Sequence, residues 1–275
     1  MYNRVLTIQD ISCVGQCSLT VALPIISACG QETVILPSAV LSTHTGGFKE
    51  FTFRDLTDDI PKIQEHWQKE GIKFDAIYTG YLGSLKQIDY VADILNTMGN
   101  EKAVKVVDPA MGDHGKLYSH FDMEYAKAMS TLCAKADIVL PNITEAAIMT
   151  VTPYKEDYDE AYVKDLLNKM RALGMKTIVM TGISYDKEST GVLIYENDTI
   201  QYYKHEKLEK SSHGTGDIFA SAFVGSHLSG KNLYDSAKIA ANFVLKAMKN
   251  TQGDENHWYG VKFETCLPDL IDSLR

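Results

Sequence analysis

The sequence lacks the patterns of a membrane, secreted or zinc-binding protein. No apolar run approaches the roughly 18 to 20 residues that span a bilayer, and the N-terminus, Met1–Ile8, leads into a strand pattern without the apolar core of a signal peptide. The five cysteines form no CxxC pair, and the eight histidines form no HExxH or HxH pair. We therefore expect a soluble, cytoplasmic protein with reduced thiols, no membrane partner and no structural zinc.

Positive charge is also scarce. The chain has 27 Lys and Arg against 36 Asp and Glu, which gives a formal net charge of −9 at pH 7. This balance argues against a general nucleic-acid binder, so phosphate groups would have to bind at a local site. No GxGxxG follows the first strand pattern, which argues against a nicotinamide dehydrogenase.

Short β-branched runs alternate with amphipathic segments along most of the chain. The predicted strands are Val5–Ile8, Thr33–Leu36, Ala76–Thr79, Val104–Val107, Ile138–Leu140 and Thr177–Met180. The predicted helices between them are Leu19–Ala28, Ile60–Glu70, Ile88–Met98, Met123–Ala134 and Tyr162–Leu173. Alternation of this kind predicts an α/β fold with a central, mostly parallel sheet and helices on both faces.

The pattern changes after Thr181. Turn chemistry at 196–198 predicts a hairpin of Val192–Tyr195 and Ile200–His205. Two helices, Asp217–Leu228 and Leu233–Lys249, and a short C-terminal helix follow. Because there is no internal repeat, low-complexity segment or linker, we expect one domain over residues 1–275.

The segment Pro37–Phe53 interrupts the alternation between two elements of the predicted sheet. It contains Ser42-Thr43-His44-Thr45-Gly46-Gly47-Phe48. A long excursion of this kind is typical of a lid or a binding segment, although a plain surface loop would look the same.

The most informative motif is His213-Gly214-Thr215-Gly216-Asp217, which opens onto an apolar helix. The two glycines allow a sharp turn, and the helix N-terminus presents unpaired N–H donors and partial positive charge to an anion. Asp217 in the first turn could take a proton from an attacking hydroxyl group. The motif therefore indicates phosphoryl transfer to an alcohol, although Gly and Asp are also ordinary residues at a helix start.

Polar or glycine-rich sequences follow most of the predicted strands, at the edge where open parallel sheets bind ligands. They are Asp10-Ile11-Ser12, Thr79-Gly80-Tyr81, Asp108-Pro109-Ala110-Met111-Gly112-Asp113, Pro141-Asn142-Ile143-Thr144-Glu145 and Thr181-Gly182. Asn142 and Glu145 have the spacing of a capping box. They could equally orient the waters of a nucleotide-bound Mg²⁺, with Asp108 as a second acid.

The order of these motifs resembles the ribokinase superfamily and, within it, the pyridoxal (vitamin B6) kinases. The resemblance covers nearly the whole chain. GTGD and NxxE are superfamily motifs, whereas His44-Thr45-Gly46, Thr79-Gly80-Tyr81 and Asp108-x-x-x-Gly112-Asp113 point to the B6 branch.

The resemblance implies an ATP-dependent kinase that phosphorylates the 5′-hydroxymethyl group of pyridoxal, pyridoxine or pyridoxamine. It implies Asp217 as the general base, with Gly214, Thr215 and Gly216 forming an anion hole for the γ-phosphoryl group. Positions that match the pyridine pocket are Asp10, Ser12, Thr45, Tyr81 and Asp113. Asp113 and Tyr118 match positions that cover the reaction site in relatives. Positions that match the nucleotide site are Asn142, Glu145, Thr181, Gly182, Gly214 and Gly216. Asp108, together with Glu145 acting through water, matches the Mg²⁺ region, and the family is commonly homodimeric.

Three departures from the family leave alternatives open. The first loop is shorter than usual, so either Asp10 or Ser12 could meet the substrate. Leu140 stands where some relatives have a hydroxyl residue near a monovalent cation, which leaves dependence on K⁺ open. The lid also lacks the cysteine that some dual-specificity relatives use against the aldehyde.

Three other functions compete with a B6 kinase. Hydroxymethylpyrimidine kinase shares the fold, although its usual GSDSSGGAG first loop is absent here. A ribokinase-like NAD(P)H-hydrate dehydratase would not need the pyridine-pocket motifs. A non-catalytic nucleotide-binding regulator would not need Asp217.

Overall fold

The computed structural model describes residues 2–208 and 212–275 and builds them around a nine-stranded sheet. The strands are β1 (Arg4–Ser12), β2 (Glu32–Leu41), β3 (Phe53–Asp55), β4 (Phe74–Thr79), β5 (Gly99–Val107), β6 (Gly112–Asp113), β7 (Lys116–Leu117), β8 (Ile138–Val139), β9 (Thr177–Ile183), β10 (Ser189–Glu196) and β11 (Thr199–Glu206). The sheet order is β11-β10-β9-β8-β5-β4-β1-β2-β3, and β6 pairs with β7 in a separate hairpin.

The centre of the sheet is parallel and its two edges are antiparallel. All neighbouring pairs from β2 through β1, β4, β5 and β8 to β9 run parallel. The pairs β2–β3, β9–β10 and β10–β11 run antiparallel. The expected mostly parallel sheet is thus confirmed, and so is the hairpin after Thr181.

Helices cover both faces of the sheet, as expected. They are α1 (Leu19–Ala28), α2 (Ile60–Lys69), α3 (Leu85–Thr97), α4 (Met123–Cys133), α5 (Ile143–Met149), α6 (Glu160–Ala172), α7 (Thr215–Leu228), α8 (Leu233–Thr251) and α9 (Leu267–Ser273). On β1, Leu6 and Ile8 join a buried cluster with α3 to α6, whereas Val5 joins another with α1, α7 and α8. This alternation of side chains places a hydrophobic core on each face.

The excursion expected over residues 37–53 is shorter in the structure. Pro37–Leu41 continues β2, and Phe53 begins β3, which pairs with the end of β2 through Leu41 and Phe53. The connecting loop is therefore 42–52. All three residues of β3 are exposed, so this strand shows no alternation of buried and exposed positions. The hydrophobic pattern of the sequence therefore does not predict it.

The parallel strands β1, β4, β5 and β8 point their carboxyl ends at one edge of the sheet, where the polar sequences identified above follow them. None of the helices in the described part of the chain is long and apolar enough to cross a membrane.

Candidate active site

The turn before α7 packs directly on the loop that follows β1. Gly214 caps the helix in the left-handed conformation, with φ of 76°. A Cβ atom there would lie 1.7 Å from the carbonyl oxygen of Gln16, so only glycine permits this approach. Thr215, Gly216 and Asp217 form the first turn, whose N–H groups have no carbonyl partner within the helix. Open space surrounds Gly216, so the N-terminus of α7 can receive an anion.

Asp217 lies in this first turn and is half-buried. Burial, followed by the negative charge of Asp108, raises the pKa of Asp217 to about 7, while the backbone amide of Ser18 opposes the rise. Below it, the hydroxyl of Ser221 donates to the backbone carbonyl of Asp217 at 2.6 Å. A carboxylate with this pKa is suited to accept a proton near neutral pH.

Asp10 and Ser12 form one buried unit at the end of β1. The Asp10 carboxylate accepts hydrogen bonds from the hydroxyls of Ser12 (2.9 Å) and Ser18 (2.6 Å). Ser18 adopts a φ of 55°, which turns its side chain away from capping α1 and towards Asp10. Burial raises the pKa of Asp10 despite these bonds. Sequence reasoning missed Ser18, because no motif marks it.

Asn142 and Glu145 form a capping box at the start of α5, so the structural interpretation of their spacing holds. The Asn142 side chain accepts from the Glu145 amide at 2.9 Å, and Glu145 accepts from the amides of Asn142 (2.8 Å) and Met111 (3.0 Å). Asn142 also donates to the carbonyl of Gly112 at 2.9 Å. The box therefore ties α5 to the loop after β5.

Asp108 lies buried beside Glu145. Burial and the neighbouring Glu145 charge raise the pKa of Asp108 well above its ordinary value, and burial raises the pKa of Glu145 as well. One Asp108 oxygen accepts from the Ala110 amide at 3.1 Å, and both Glu145 oxygens accept from amides. Two crowded acids are a set of oxygen ligands that suits a divalent cation. Among the residues described, no group of three or more potential ligands is preassembled.

The hairpin β6–β7 places Asp113 and Tyr118 next to these acids. The Gly115 amide at its tip donates to the Thr144 hydroxyl at 3.0 Å, which attaches the hairpin to α5. Burial and the charges of Glu145, Asp113, Asp217 and Asp108 all raise the pKa of Tyr118. Tyr118, which is 40% exposed, and Asp113 both lie at the surface of this acidic region.

The remaining predicted residues line the same edge. Tyr81 is half-buried and bonds His120 through its hydroxyl at 2.6 Å, and burial together with the Asp10 charge raises its pKa to about 12. Thr45 is exposed in loop 42–52. Thr181 lies within β9, pairs with Asn142, and its amide donates to Pro141 at 2.9 Å. Gly182 is exposed beside it, with φ of +70° and open space around it.

The C-terminal segment 258–260 also borders this edge, which the sequence did not predict. A Cβ atom on Gly260 would lie 2.8 Å from the Gln16 side chain, and one on Gly47 would lie 2.8 Å from the Trp258 ring. The adjacent aromatic residues Trp258-Tyr259 are the one sign of this contact in the sequence, because aromatic side chains often form contacts between segments.

An anion-binding helix N-terminus with an adjacent base, on a sheet of this order, defines the class of ribokinase-like phosphotransferases. Comparison with known proteins confirms this class. The profile of the phosphomethylpyrimidine kinase family matches residues 24–260, so the chain belongs to that family.

Individual relatives include proteins named for both substrates. A Bacteroides thetaiotaomicron structure, solved with pyridoxal as a candidate phosphomethylpyrimidine kinase, is 37% identical, with a TM-score of 0.91 over 97% of this chain and 95% of that one. Pyridoxal kinase from Lactobacillus plantarum is 30% identical, with a TM-score of 0.91 over 98% and 97%. Hydroxymethylpyrimidine/phosphomethylpyrimidine kinase from Bacillus subtilis is 26% identical over 80% of this chain and 78% of its own length. The resemblance to the B6 kinases is confirmed.

The two glycines of the α7 turn should respond differently to alanine. In Gly214→Ala the new methyl would overlap the Gln16 carbonyl at a left-handed φ, so we expect the free energy of unfolding to fall by about 1–3 kcal/mol. The matched control Gly216→Ala meets open space and should change it by less than about 0.5 kcal/mol. Urea unfolding of both variants checks this, and equal stabilities would contradict the packing described.

The buried acids should also make the ligand-free protein less stable as the pH rises. Asp10, Asp108, Glu145 and Asp217 all have raised pKa values in the folded state. Between pH 4 and 7 the folded state therefore holds protons that the unfolded chain has released, and the free energy of unfolding falls as the pH increases.

Urea unfolding at pH 5.5, 6.5 and 8 measures this slope. Asp217→Asn should make it shallower, because one raised pKa is removed. Asp235→Asn, at an exposed first-turn acid of α8, should leave it unchanged. Stability that increases from pH 5.5 to 8 would show that these acids are not destabilised by burial.

Proposed function

We propose that this protein transfers the γ-phosphoryl group of ATP to the 5′-hydroxymethyl group of pyridoxal, pyridoxine or pyridoxamine. The observation that carries the proposal is Asp217, a carboxylate with pKa near 7 at an open helix N-terminus, opposite the buried Asp10 unit. The Bacteroides relative crystallised with pyridoxal supports the choice of substrate.

In the proposed reaction, the Asp217 carboxylate accepts the proton of the substrate hydroxyl as its oxygen attacks the γ-phosphorus. The bond from the γ-phosphorus to the β,γ-bridging oxygen breaks, and ADP leaves. The N–H groups of Gly214, Thr215 and Gly216 stabilise the negative charge on the transferring group. Mg²⁺ would be held near Asp108 and Glu145, and when bound it would neutralise phosphate charge.

We assign the nucleotide phosphates to the edge formed by Asn142, Thr181 and Gly182. These residues are adjacent through the Asn142–Thr181 bridge, and Gly182 leaves open space beside them. Asp113 on the β6–β7 hairpin and Tyr118 directly after it would cover the reacting groups, because the charges of Glu145, Asp217 and Asp108 all act on the Tyr118 hydroxyl.

The substrate ring is assigned to the opposite side of Asp217, between Asp10, Ser12, Thr45 and Tyr81. The Asp10 charge reaches both Tyr81 and Asp217, so these side chains surround one space. Tyr81 would stack on the ring, and the Asp10–Ser12 unit would bind its polar substituents. Because Ser12 donates to Asp10, both contribute to this contact.

The second candidate function is phosphorylation of hydroxymethylpyrimidine or its phosphate. The family profile and the Bacillus relative favour it. The B6 vitamers and hydroxymethylpyrimidine all present a hydroxymethyl group on a nitrogen-containing aromatic ring, so the base and anion site would act identically on them.

The resemblance also supports proposals about assembly, location and cations. We propose a homodimer in the cytoplasm. Light scattering after gel filtration tests the dimer. The Leu140 side chain is buried in the core and offers no oxygen ligand, so K⁺ binding would need oxygen ligands from other residues.

Replacing the base tests the mechanism. Asp217→Asn should lower kcat by roughly 10²-fold or more, because the amide cannot accept the proton, while the Kd for ATP should change less than about twofold. For the unchanged protein, kcat/KM should fall as the pH drops below about 7, where Asp217 becomes protonated. Asp235→Asn serves as the control, and full turnover by Asp217→Asn would remove Asp217 from this role.

A substrate panel tests the assignment of the substrate. With Mg²⁺ and ATP, we expect at least one B6 vitamer to be converted to a product heavier by one phosphoryl group, with kcat/KM at least tenfold above that for hydroxymethylpyrimidine. Mass spectrometry of the products measures this. A reversed preference would establish the pyrimidine alternative, and phosphorylation of neither ring would overturn both.

A further inference from the structure

His44 connects three parts of the chain that are far apart in sequence. Its Nδ1 accepts a hydrogen bond from the Gly46 amide at 3.0 Å, and its Nε2 lies 2.7 Å from the carbonyl oxygen of Tyr259. Since an amide donates to Nδ1 and a carbonyl must accept from Nε2, the ring is the neutral Nε2–H tautomer. Burial lowers the pKa of His44, which favours this neutral form.

The third contact is with the loop after β1. The His44 amide donates to the Val14 carbonyl at 3.2 Å, and the ring lies against Gly15. A Cβ atom on Gly15 would lie 2.1 Å from the ring, and Gly15 has φ of +109°. Glycine at this position therefore makes room for the imidazole.

The C-terminal segment 258–260 packs on the same loops around this ring. Trp258 contacts Phe48, with ring centroids 4.6 Å apart, and Gly260 lies against Gln16. Phe48 in turn meets the His44 ring edge-on at 5.0 Å. Besides these direct contacts, His44 thus joins residues 42–48 of loop 42–52 (hereafter loop 42–48), the loop after β1 and the C-terminal segment.

We propose that His44 is a positioning residue that locks loop 42–48 and the C-terminal segment 258–260 together, and thereby shapes the pocket for the substrate ring beside Thr45. The lock is a property of the free protein. Only its kinetic consequence rests on the proposed function.

His44 acts through these loops, not through the substrate. It is 5% exposed, and both of its nitrogens are occupied by backbone groups. One of these hydrogen bonds holds loop 42–48, and the other holds the C-terminal segment. Losing one of them should increase the population of loop states in which Thr45 is displaced, and the apparent affinity for the ring substrate should fall accordingly.

Two substitutions separate the two bonds. Asparagine places an oxygen near the position of Nδ1 but does not reach Tyr259, whereas glutamine reaches Tyr259 but offers no acceptor near Gly46. His66→Asn and His66→Gln are matched controls, because His66 lies exposed on α2, with its Nε2 3.9 Å from a Glu70 carboxylate oxygen.

Hydrogen–deuterium exchange of the ligand-free variants is the primary measurement. In His44→Asn, we expect peptides from both 42–48 and 258–260 to exchange at least about fivefold faster, with peptides of the central sheet unchanged. His44→Gln should accelerate exchange most at the Gly46 amide. Unchanged exchange in 258–260 in His44→Asn, with folding intact by circular dichroism, would overturn the lock.

Trp258→Ala tests the same contacts from the C-terminal segment. Trp258 is 50% exposed, so its loss should not prevent folding. It should accelerate exchange in loop 42–48, and protection of that loop equal to the unchanged protein would also overturn the proposal.

Kinetics provide the second readout. Both His44 variants should raise KM for the ring substrate by about fivefold or more, while KM for ATP and kcat at saturation stay within about twofold. A fall in kcat alone would contradict a positioning role. If no ring substrate is phosphorylated by the unchanged protein, the proposed function fails, while the exchange result still decides the lock.

Discussion

The crowding of carboxylates at the N-terminus of α7 is the constraint on which the rest of the site depends. Burial raises the pKa values of Asp217, Asp108 and Asp10, and the charges of Asp108 and Asp10 raise the pKa of Asp217 further. Such a group is costly to keep ionised unless cations or donors compensate it. Amides and hydroxyls compensate part of the charge. In the proposed reaction, Mg²⁺ and the positive end of the helix would compensate the remainder, which would explain why acids lie beside an open helix N-terminus.

Close backbone approaches make this crowding possible. Gly214 brings the α7 turn onto the Gln16 carbonyl, and Gly15 admits the His44 ring. Side chains at either position would separate the loops and open the space between Asp10 and Asp217. Water would then enter, the pKa of Asp217 would return towards its ordinary value, and the group would be a weaker base at neutral pH. Glycine thus acts on the chemistry through packing, at a distance from the reacting atoms.

The fold could be predicted from the sequence because most of its elements carry strong local signals. Helix α1 was predicted at both ends, and the buried parallel strands read as β-branched runs. The proposed roles of Asp217, Asp108 and Glu145 rest on motifs at strand ends and helix starts. The contacts of Ser18, His44 and Trp258 could not be predicted, because each joins segments that no local pattern relates. The hairpin β6–β7 could not be predicted for a different reason, because two-residue strands are too short to show a hydrophobic periodicity.

This division between local and long-range signals also explains how one family includes kinases for both pyridine and pyrimidine rings. In the proposed site, the base and the anion hole lie within one turn of α7, contact only a hydroxymethyl group and a phosphoryl group, and are therefore indifferent to the ring. The ring would be recognised by Tyr81 and by loops such as 42–48, whose positions depend on contacts from distant segments. Changes in those contacts alter which ring fits without touching the reacting groups. On the proposed mechanism, substrate choice would therefore depend mainly on loop packing, whereas the reaction itself would depend on the helix terminus.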